Sequence, residues 1–448
     1  VRIHNLKERW KKLISAGILL LAVIGITAFW KMNEKKTALE FGMFTGSNWG
    51  VENADAFVII DRAVARFEKE HPDVKVEYTS GIDREDYSEW CAEKLLKGDM
   101  PDVFMALDED FSRYMSLNVL EDLDSYMEND PEFHRSEFFS TALEIGQGIG
   151  EEKVQYALPY EVVPTMLFVN KTLLEKEGIQ MPGKDWSWEE FYDICQKVTK
   201  DTDGDGRLDQ FGTYNYTWLD AMYTSGGTAF DSKNMTVDFT DPGVIESVKF
   251  MKRLNQLYGG ESVTQEDFDA GKVVFMPLNF AEYRTYKTYP YKIKKYTNFQ
   301  WDCTTFPGIR QGQNVSKVDA LLLGISRDSD KKELAWEFLK ELAADEKSQM
   351  DIFRYSQGVS SLKKVAGSKE AGEIIQGEMD PEEQVIGGKF LCEVIENGEI
   401  TPKFYQDQMY EQIVSLANTG ITNIFEQNKS VDISMKILQR ELQQYLSQ

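Results

Sequence analysis

From residue 36 onward the apolar positions fall into an alternation of strand and helix signatures. "ALEFGMF" (Ala38 to Phe44) reads as a short strand, "TGSNWG" as a polar loop, and Phe57, Ile60, Val64 and Phe67 then recur at helical spacing. That helix stops at His71, Pro72 and Asp73. "VKVEY" (Val74 to Tyr78) alternates as a second strand, and a helix carrying Trp90 and Leu95 follows. Gly98 to Pro101 turns the chain into "DVFMAL" (Asp102 to Leu107), a continuous apolar run with the character of a third strand. Strand, helix, strand, helix, strand with short links predicts an α/β fold built on an open, doubly wound parallel sheet. Ligands of such sheets gather outside the carboxyl ends of the strands. Those ends are Thr45 to Trp49, Ser80 to Asp83, and Asp108 with Glu109.

One stretch breaks the alternation. Leu13 to Trp30, "LISAGILLLAVIGITAFW", is apolar or small throughout and follows Arg2, Lys7, Arg9, Lys11 and Lys12, which marks a membrane-targeting segment with its positive side inside. Its length is close to the lower limit for a membrane-spanning helix, about 17 residues, so a cleaved signal peptide and a retained anchor are both open. Ala28-Phe29-Trp30 is a poor small-residue cleavage site, which favours the anchor. The rest of the chain then lies outside the cytoplasm, attached to the outer face of the membrane or released if the segment is cut.

The whole chain has 448 residues, more than one hydrophobic core usually serves, and two domains are expected. Its net charge of −25 repels nucleic acid and anionic lipid, so neither is an expected partner of the folded part. Cys91, Cys195, Cys303 and Cys392 stand far apart with no C-x-x-C pair, and His4, His71 and His134 are equally scattered. A disulfide framework, a zinc site and a His-based catalytic triad are therefore not expected. No G-x-G-x-x-G follows the first strand and no G-x-x-x-x-G-K-[ST] occurs, which excludes the usual dinucleotide and P-loop guests. Trp49 beside Asn48 and nearby carboxylates, if exposed, suits a sugar: an aromatic face covers the C–H side of the ring while amides and carboxylates bond its hydroxyls.

"DTDGDGRLDQFG" (Asp201 to Gly212) has the spacing of a calcium loop. Asp201, Asp203, Asp205 and Asp209 stand at positions 1, 3, 5 and 9, Gly206 supplies the turn, and Arg207 offers its carbonyl at position 7. Position 12, where a bidentate Glu is usual, is Gly212. A structural calcium and a solvated acidic turn both fit; no cofactor for catalysis is expected.

Seven motifs then follow one another in a recognisable order: "MPDVFMA" (Met100 to Ala106), "YALPYE" (Tyr156 to Glu161), "LFVNKTLLEKEGI" (Leu167 to Ile179), "WSWEEFYDICQKVT" (Trp186 to Thr199), "FDAGKVVFMPLN" (Phe268 to Asn279), "TTFPG" (Thr304 to Gly308) and "LLLGISRDSDKKELAWEFLKELAADE" (Leu321 to Glu346). Together they resemble the extracellular solute-binding proteins of ABC importers, in the carbohydrate-type branch that includes the maltose-binding proteins. The resemblance implies a two-lobed periplasmic-binding-protein-like fold, each lobe a doubly wound sheet flanked by helices. The lobes would be joined by a hinge of crossing segments and close on a ligand between them. The expected boundaries are 1–33 for the anchor or signal segment, 36–161 with 306–354 for the N-terminal lobe, and 162–305 with 355–448 for the C-terminal lobe. The closing helix, with Val431, Met435, Leu438, Leu442 and Tyr445 on one stripe, is expected on the second lobe.

Carried over by position, the resemblance places ligand contacts at Asn48, Trp49, Asp108, Glu109, Tyr160, Glu161, Trp218, Asn279, Phe280, Gly358 and Ser360. It implies a non-catalytic, monomeric receptor that delivers a sugar or oligosaccharide to an ABC permease. Relatives in Gram-positive cells carry a lipobox cysteine after the leader, and this chain has none before Cys91. Among the rivals at this stage, one is the same fold reporting to a signalling partner in the membrane, another is an extracellular glycoside hydrolase with two carboxylates roughly 5 to 9 Å apart, and a third is a different ligand class, such as ferric iron held by tyrosines.

Overall fold

The computed structural model describes residues 36–79, 81–149, 153–231, 233–288, 299–377, 388–402 and 407–447. The segment Leu13 to Trp30 lies outside the described residues, and no helix among them is long and apolar enough to cross a membrane.

The alternation at the start of the chain folds as the pattern predicts. β1 (Thr37–Gly42), the helix Ala56–Glu70, β2 (Val74–Tyr78), the helix Arg84–Lys97 and β3 (Val103–Ala106) form a parallel unit in the order β2-β1-β3. Leu39 stands opposite Val76 and Phe41 opposite Val103. The second of these helices stops at Gly98, whose φ of 65° is the left-handed conformation that a helix terminus takes most cheaply with glycine.

Past this unit the sheet is mixed rather than parallel. β4 (Ala157–Asn170) is 14 residues long, about 46 Å at strand rise, more than one lobe needs. Its first half lies in the sheet of the N-terminal lobe and its second half in another sheet. That second sheet contains β5 (Phe211–Thr213), β8 (Val273–Asn279) and β9 (Trp301–Thr304). A small ribbon of β6 (Phe230–Asp231) and β7 (Thr236–Val237) stands apart. β10 (Lys317–Ile325) returns to the first sheet and runs antiparallel to both β3 and β4. Two prolines mark the crossing. At Pro159 the register of β10 slips between Leu321 and Leu322, leaving Tyr160 as an extra residue, and Pro164 stands opposite Val318. Proline cannot donate to a ladder, so bulges and strand exits are where a sheet tolerates it.

The lobe boundaries differ from those expected. β11 (Val359–Ser360) pairs with β4 at Val162 and Glu161, and β12 (Glu399–Ile400) pairs with the start of β10. Leu362, Val365, Leu391 and Ile395 complete the core of the first sheet. Residues 359–375 and 388–400 therefore pack on the N-terminal lobe, not the C-terminal one. Conversely Phe306 belongs to the second core, where the Trp186 indole donates to the Thr305 carbonyl at 2.9 Å. The last two helices, Asp407–Glu426 and Val431–Leu446, pack Ile413, Ala417, Met435, Leu438 and Leu442 into the second core. The reason for the misplacement is local: strands of two residues have no period to read, and only their partners define them.

Candidate functional site

The loops after β1 and β2 are tied side by side, Thr45 N–H donating to the Ile82 carbonyl at 2.7 Å. Beyond them Arg84, the first residue of its helix, donates through Nε to Asn48 Oδ1 at 3.1 Å and pairs through Nη2 with Glu109 Oε1 at 2.5 Å. Two of the sequence-derived contact residues, Asn48 and Glu109, are thus brought together by a third that sequence reasoning missed. A signal for it existed: a cation in the first turn of a helix opposes the helix dipole, and such a placement asks for a compensating anion.

Five other expected contacts gather in a buried knot. Trp49 is only 8% exposed, so the expectation of an exposed aromatic is corrected: its ring closes the end of the first core. The Glu161 carboxyl accepts from Ser356 Oγ and, at 2.8 Å, from the Gly358 N–H. Burial pushes its pKa up, against the pull of Ser356, the Trp49 indole, the Gly358 amide and Arg284. The indole faces the carboxyl without reaching hydrogen-bond geometry. Gly358 is required by proximity, since a Cβ there would stand 2.2 Å from Glu161 Oε1. Ser360 Oγ donates to Gln349, whose amide donates in turn to the Tyr160 carbonyl at 3.0 Å.

Arg284, from the helix Phe280–Thr288 of the second lobe, reaches into this knot and donates to the carbonyls of Gly358 at 3.0 Å and Phe353 at 2.8 Å. Asn279, beside the fully buried Phe280, bonds the Trp49 carbonyl at 3.4 Å. These residues meet across the lobes, but Tyr160, Glu161, Phe280 and Ser360 are committed to one another's surroundings rather than laid open to a solute.

The more accessible chemistry lies further along the same floor. Asp319 stands opposite Val163 and Leu321 opposite Glu161, so the two-residue period of a strand puts Leu321, Asp319 and Lys317 on one face. Lys317 Nζ lies 3.0 Å from Asp319 Oδ2. Burial pulls the lysine pKa down, but Asp319, Tyr410 and Asp108 outweigh it and the net shift is upward. Asp108, at the end of β3, thus faces this cluster from the first lobe.

The opposite wall is the helix Trp218–Ser225, held at its start by a capping box in which Thr217 Oγ1 and N–H both donate to Asp220 Oδ2 at 2.7 Å. The Asp220 carboxyl is raised by burial, against the Thr217 bonds and Lys317. Tyr223 is raised by burial and by Tyr410, Asp319 and Asp220, and its hydroxyl meets that of Tyr410. Trp218 is buried and donates its indole N–H to Asn418 Oδ1 at 2.6 Å, fixing the helix that carries Tyr410. A cavity of about 370 Å³ opens beside Tyr223 between the lobes, with Gln147 and Ile400 on one side and Gly226 and Phe230 on the other. That volume is in the range of small-molecule sites, roughly 300 to 1,000 Å³.

Residues 52–349 match the family described as bacterial extracellular solute-binding protein. The chain belongs to that family. This solute-binding protein is therefore extracytoplasmic and works in a family of binding proteins. Its fold is shared with solved structures of low identity. The sugar-binding protein MalE from Xanthomonas citri has a TM-score of 0.70 and 17% identity over 92% of this chain and 98% of that one. A cyclic alpha-maltosyl-1,6-maltose binding protein from Arthrobacter globiformis has a TM-score of 0.73 and 13% identity, over 92% and 99%. An ABC substrate-binding protein from Listeria monocytogenes in complex with cycloalternan has a TM-score of 0.64 and 20% identity, over the same shares, 92% and 99%.

In the acidic loop of this solute-binding protein, carboxylate oxygens of Asp201, Asp203 and Asp205 lie within 4.8 Å of one another. Two ligands of one calcium stand at most roughly 5 Å apart, so the three fit. Asp201 also accepts from the backbone of Gly204 at 2.6 Å and Gly206 at 2.8 Å, and these amides hold its carboxyl below the usual range. Asp209 turns to Thr202, accepting from its N–H at 2.8 Å and its Oγ1 at 2.7 Å. Arg207 gives its N–H to Asp205 at 2.8 Å.

Proposed function

We propose that this solute-binding protein captures a sugar or oligosaccharide between its lobes and delivers it to an ABC permease. The observation that carries the reading is the interlobe cluster of Asp108, Lys317, Asp319, Tyr223 and Tyr410. It sets tyrosine rings beside ionic donors and acceptors, with Tyr223 also lining the interlobe cavity, the combination a polyhydroxylated ring needs. Asn48, Arg84 and Glu109 extend the same rim. The sugar-binding names among the structural neighbours agree with it.

A thermal-shift screen of the purified full chain in mild detergent, against mono- and oligosaccharides, tests the proposal. A glycan at a hundredfold excess over its Kd adds about 2.7 kcal/mol to the folded state and should raise the melt by a few degrees. If every glycan leaves the melt unmoved, the sugar assignment falls. Running the screen with calcium and with chelator tests the acidic loop at the same time. We assign a structural calcium to Asp201, Asp203 and Asp205, so calcium should raise the melt of the wild type but not that of Asp203→Asn. An equal response in both would leave the loop a solvated turn.

The mature protein is proposed to be a monomer that keeps Leu13 to Trp30 as its membrane anchor. Intact mass spectrometry of the membrane-derived protein should find these residues present. A mature N-terminus after Trp30 would make the segment a cleaved leader.

A further inference from the structure

We infer that Lys317 and Asp319 are the pair that reads the solute, and that what they read is two neighbouring hydroxyls on a sugar that carries no anionic group. The inference rests on the sugar reading of the same site and narrows it. Both side chains point from the hinge strand β10 into the interlobe floor, and both stay reachable, Lys317 with 36% and Asp319 with 26% of its side chain exposed. The ammonium can only donate and the carboxylate can only accept. Side by side at 3.0 Å they match two adjacent ring hydroxyls, one accepting from Lys317 and the other donating to Asp319.

The surroundings decide against an anionic ligand. Asp319, Asp108 and Tyr410 face Lys317, and Asp220 is coupled to it from the opposite wall. Among these facing groups Lys317 is already outnumbered by acids, and a uronate or sugar phosphate held here would be brought against them for an ammonium that is already paired. A neutral ring avoids that penalty, because hydroxyls serve donor and acceptor alike. A half-exposed ion pair between neighbours on one strand adds little to folding, so the pair can be altered without dismantling the lobe.

The test is isothermal titration of the full chain with maltotriose, cellotriose and xylotriose as neutral probes and trigalacturonate and glucose 6-phosphate as anionic ones. At least one neutral trisaccharide should bind and neither anion should. Lys317→Met and Asp319→Asn should each weaken the neutral probe at least about tenfold, with the ligand-free melting temperature little changed. Deoxy analogues of that probe, lacking one ring hydroxyl each, should include one that loses affinity for the wild type but loses nothing further for Lys317→Met. Should Asp319→Asn fail to fold, Lys317→Met and the deoxy series decide the matter alone.

Binding of an anionic probe that Lys317→Met abolishes would make the lysine a counter-ion and overturn the inference. Unchanged affinity of the neutral probe in both variants would overturn it too, while leaving the receptor reading intact. No binding of any probe would remove both.

Discussion

Replacing Glu161 by alanine should lower the unfolding free energy by about 3 to 5 kcal/mol, whereas glutamine should cost about 1 to 2 kcal/mol. The carboxyl receives the Ser356 hydroxyl and the Gly358 amide and faces Arg284, all inside the knot where the lobes meet. Alanine leaves these donors buried without their acceptor. Glutamine keeps one oxygen for them but turns the other into an amide donor among donors, the Trp49 indole and Arg284, and that mismatch is its cost. The glutamate charge is a burden in the folded state, since burial is the largest influence on this carboxyl and raises its pKa. A carboxyl that titrates higher folded than unfolded penalises the fold as it ionises. Wild type should therefore lose stability relative to Glu161→Gln as pH climbs from the ordinary glutamate range through the raised folded value. Denaturant titrations across that window check both statements. Alanine no worse than glutamine would mean the carboxyl is not an obligatory acceptor, and a gap that widens with pH in wild type's favour would reverse the electrostatic assignment.

Much of the first lobe was legible because its elements carry their own periods and stops. Phe57, Ile60, Val64 and Phe67 repeat at helical spacing, three of them fully buried and Phe57 partly so, and Gly98 ends its helix by backbone conformation. The crossing strand lies across two of the recognised motifs, "YALPYE" and "LFVNKTLLEKEGI", and forms an apolar run buried on both faces. What could not be read was anything defined by a distant partner. Two-residue strands at Val359 and Glu399 exist only because β4 and β10 offer edges to them.

The same holds for the site. Fold rules located Asn48, Asp108 and Glu109 at strand ends, and a cation in the first turn of its helix was a signal for Arg84, but that Arg84 joins Asn48 to Glu109 shows only in three dimensions. Lys317 and Asp319 precede the motif that starts at Leu321, and Tyr410 lies in none of the motifs, so no sequence pattern marked them. Their convergence depends on the register of β10 and on a helix that joins the second lobe at the end of the chain. Trp49 failed for a different reason. An aromatic next to a strand end serves equally as a sugar platform or as a core plug, and packing alone chose the second.

Trp218→Ala should cost about 3 to 5 kcal/mol, as truncation of a large buried aromatic does, and should weaken solute binding beyond that loss. The side chain is 4% exposed, with its ring 5.5 Å from Phe239 and its N–H on Asn418. Asn418 and Tyr410 stand eight residues apart on one helix, about 12 Å along its axis, so this bond sets where Tyr410 sits. The helix also packs against Asp108–Ser116 of the first lobe. Trp218→Phe separates the two roles: it keeps most of the buried ring and removes only the donor, at about 1 kcal/mol. Stability measured by denaturant and affinity measured for whichever glycan the screen returns should then diverge, with phenylalanine near wild type in the first and clearly weaker in the second. Equal stability of the alanine and phenylalanine variants would deny the ring its place in the core. Full affinity in the phenylalanine variant would mean that the helix bearing Tyr410 is held by packing of Ile413 and Ala417 alone, and that the indole bond is incidental to the site.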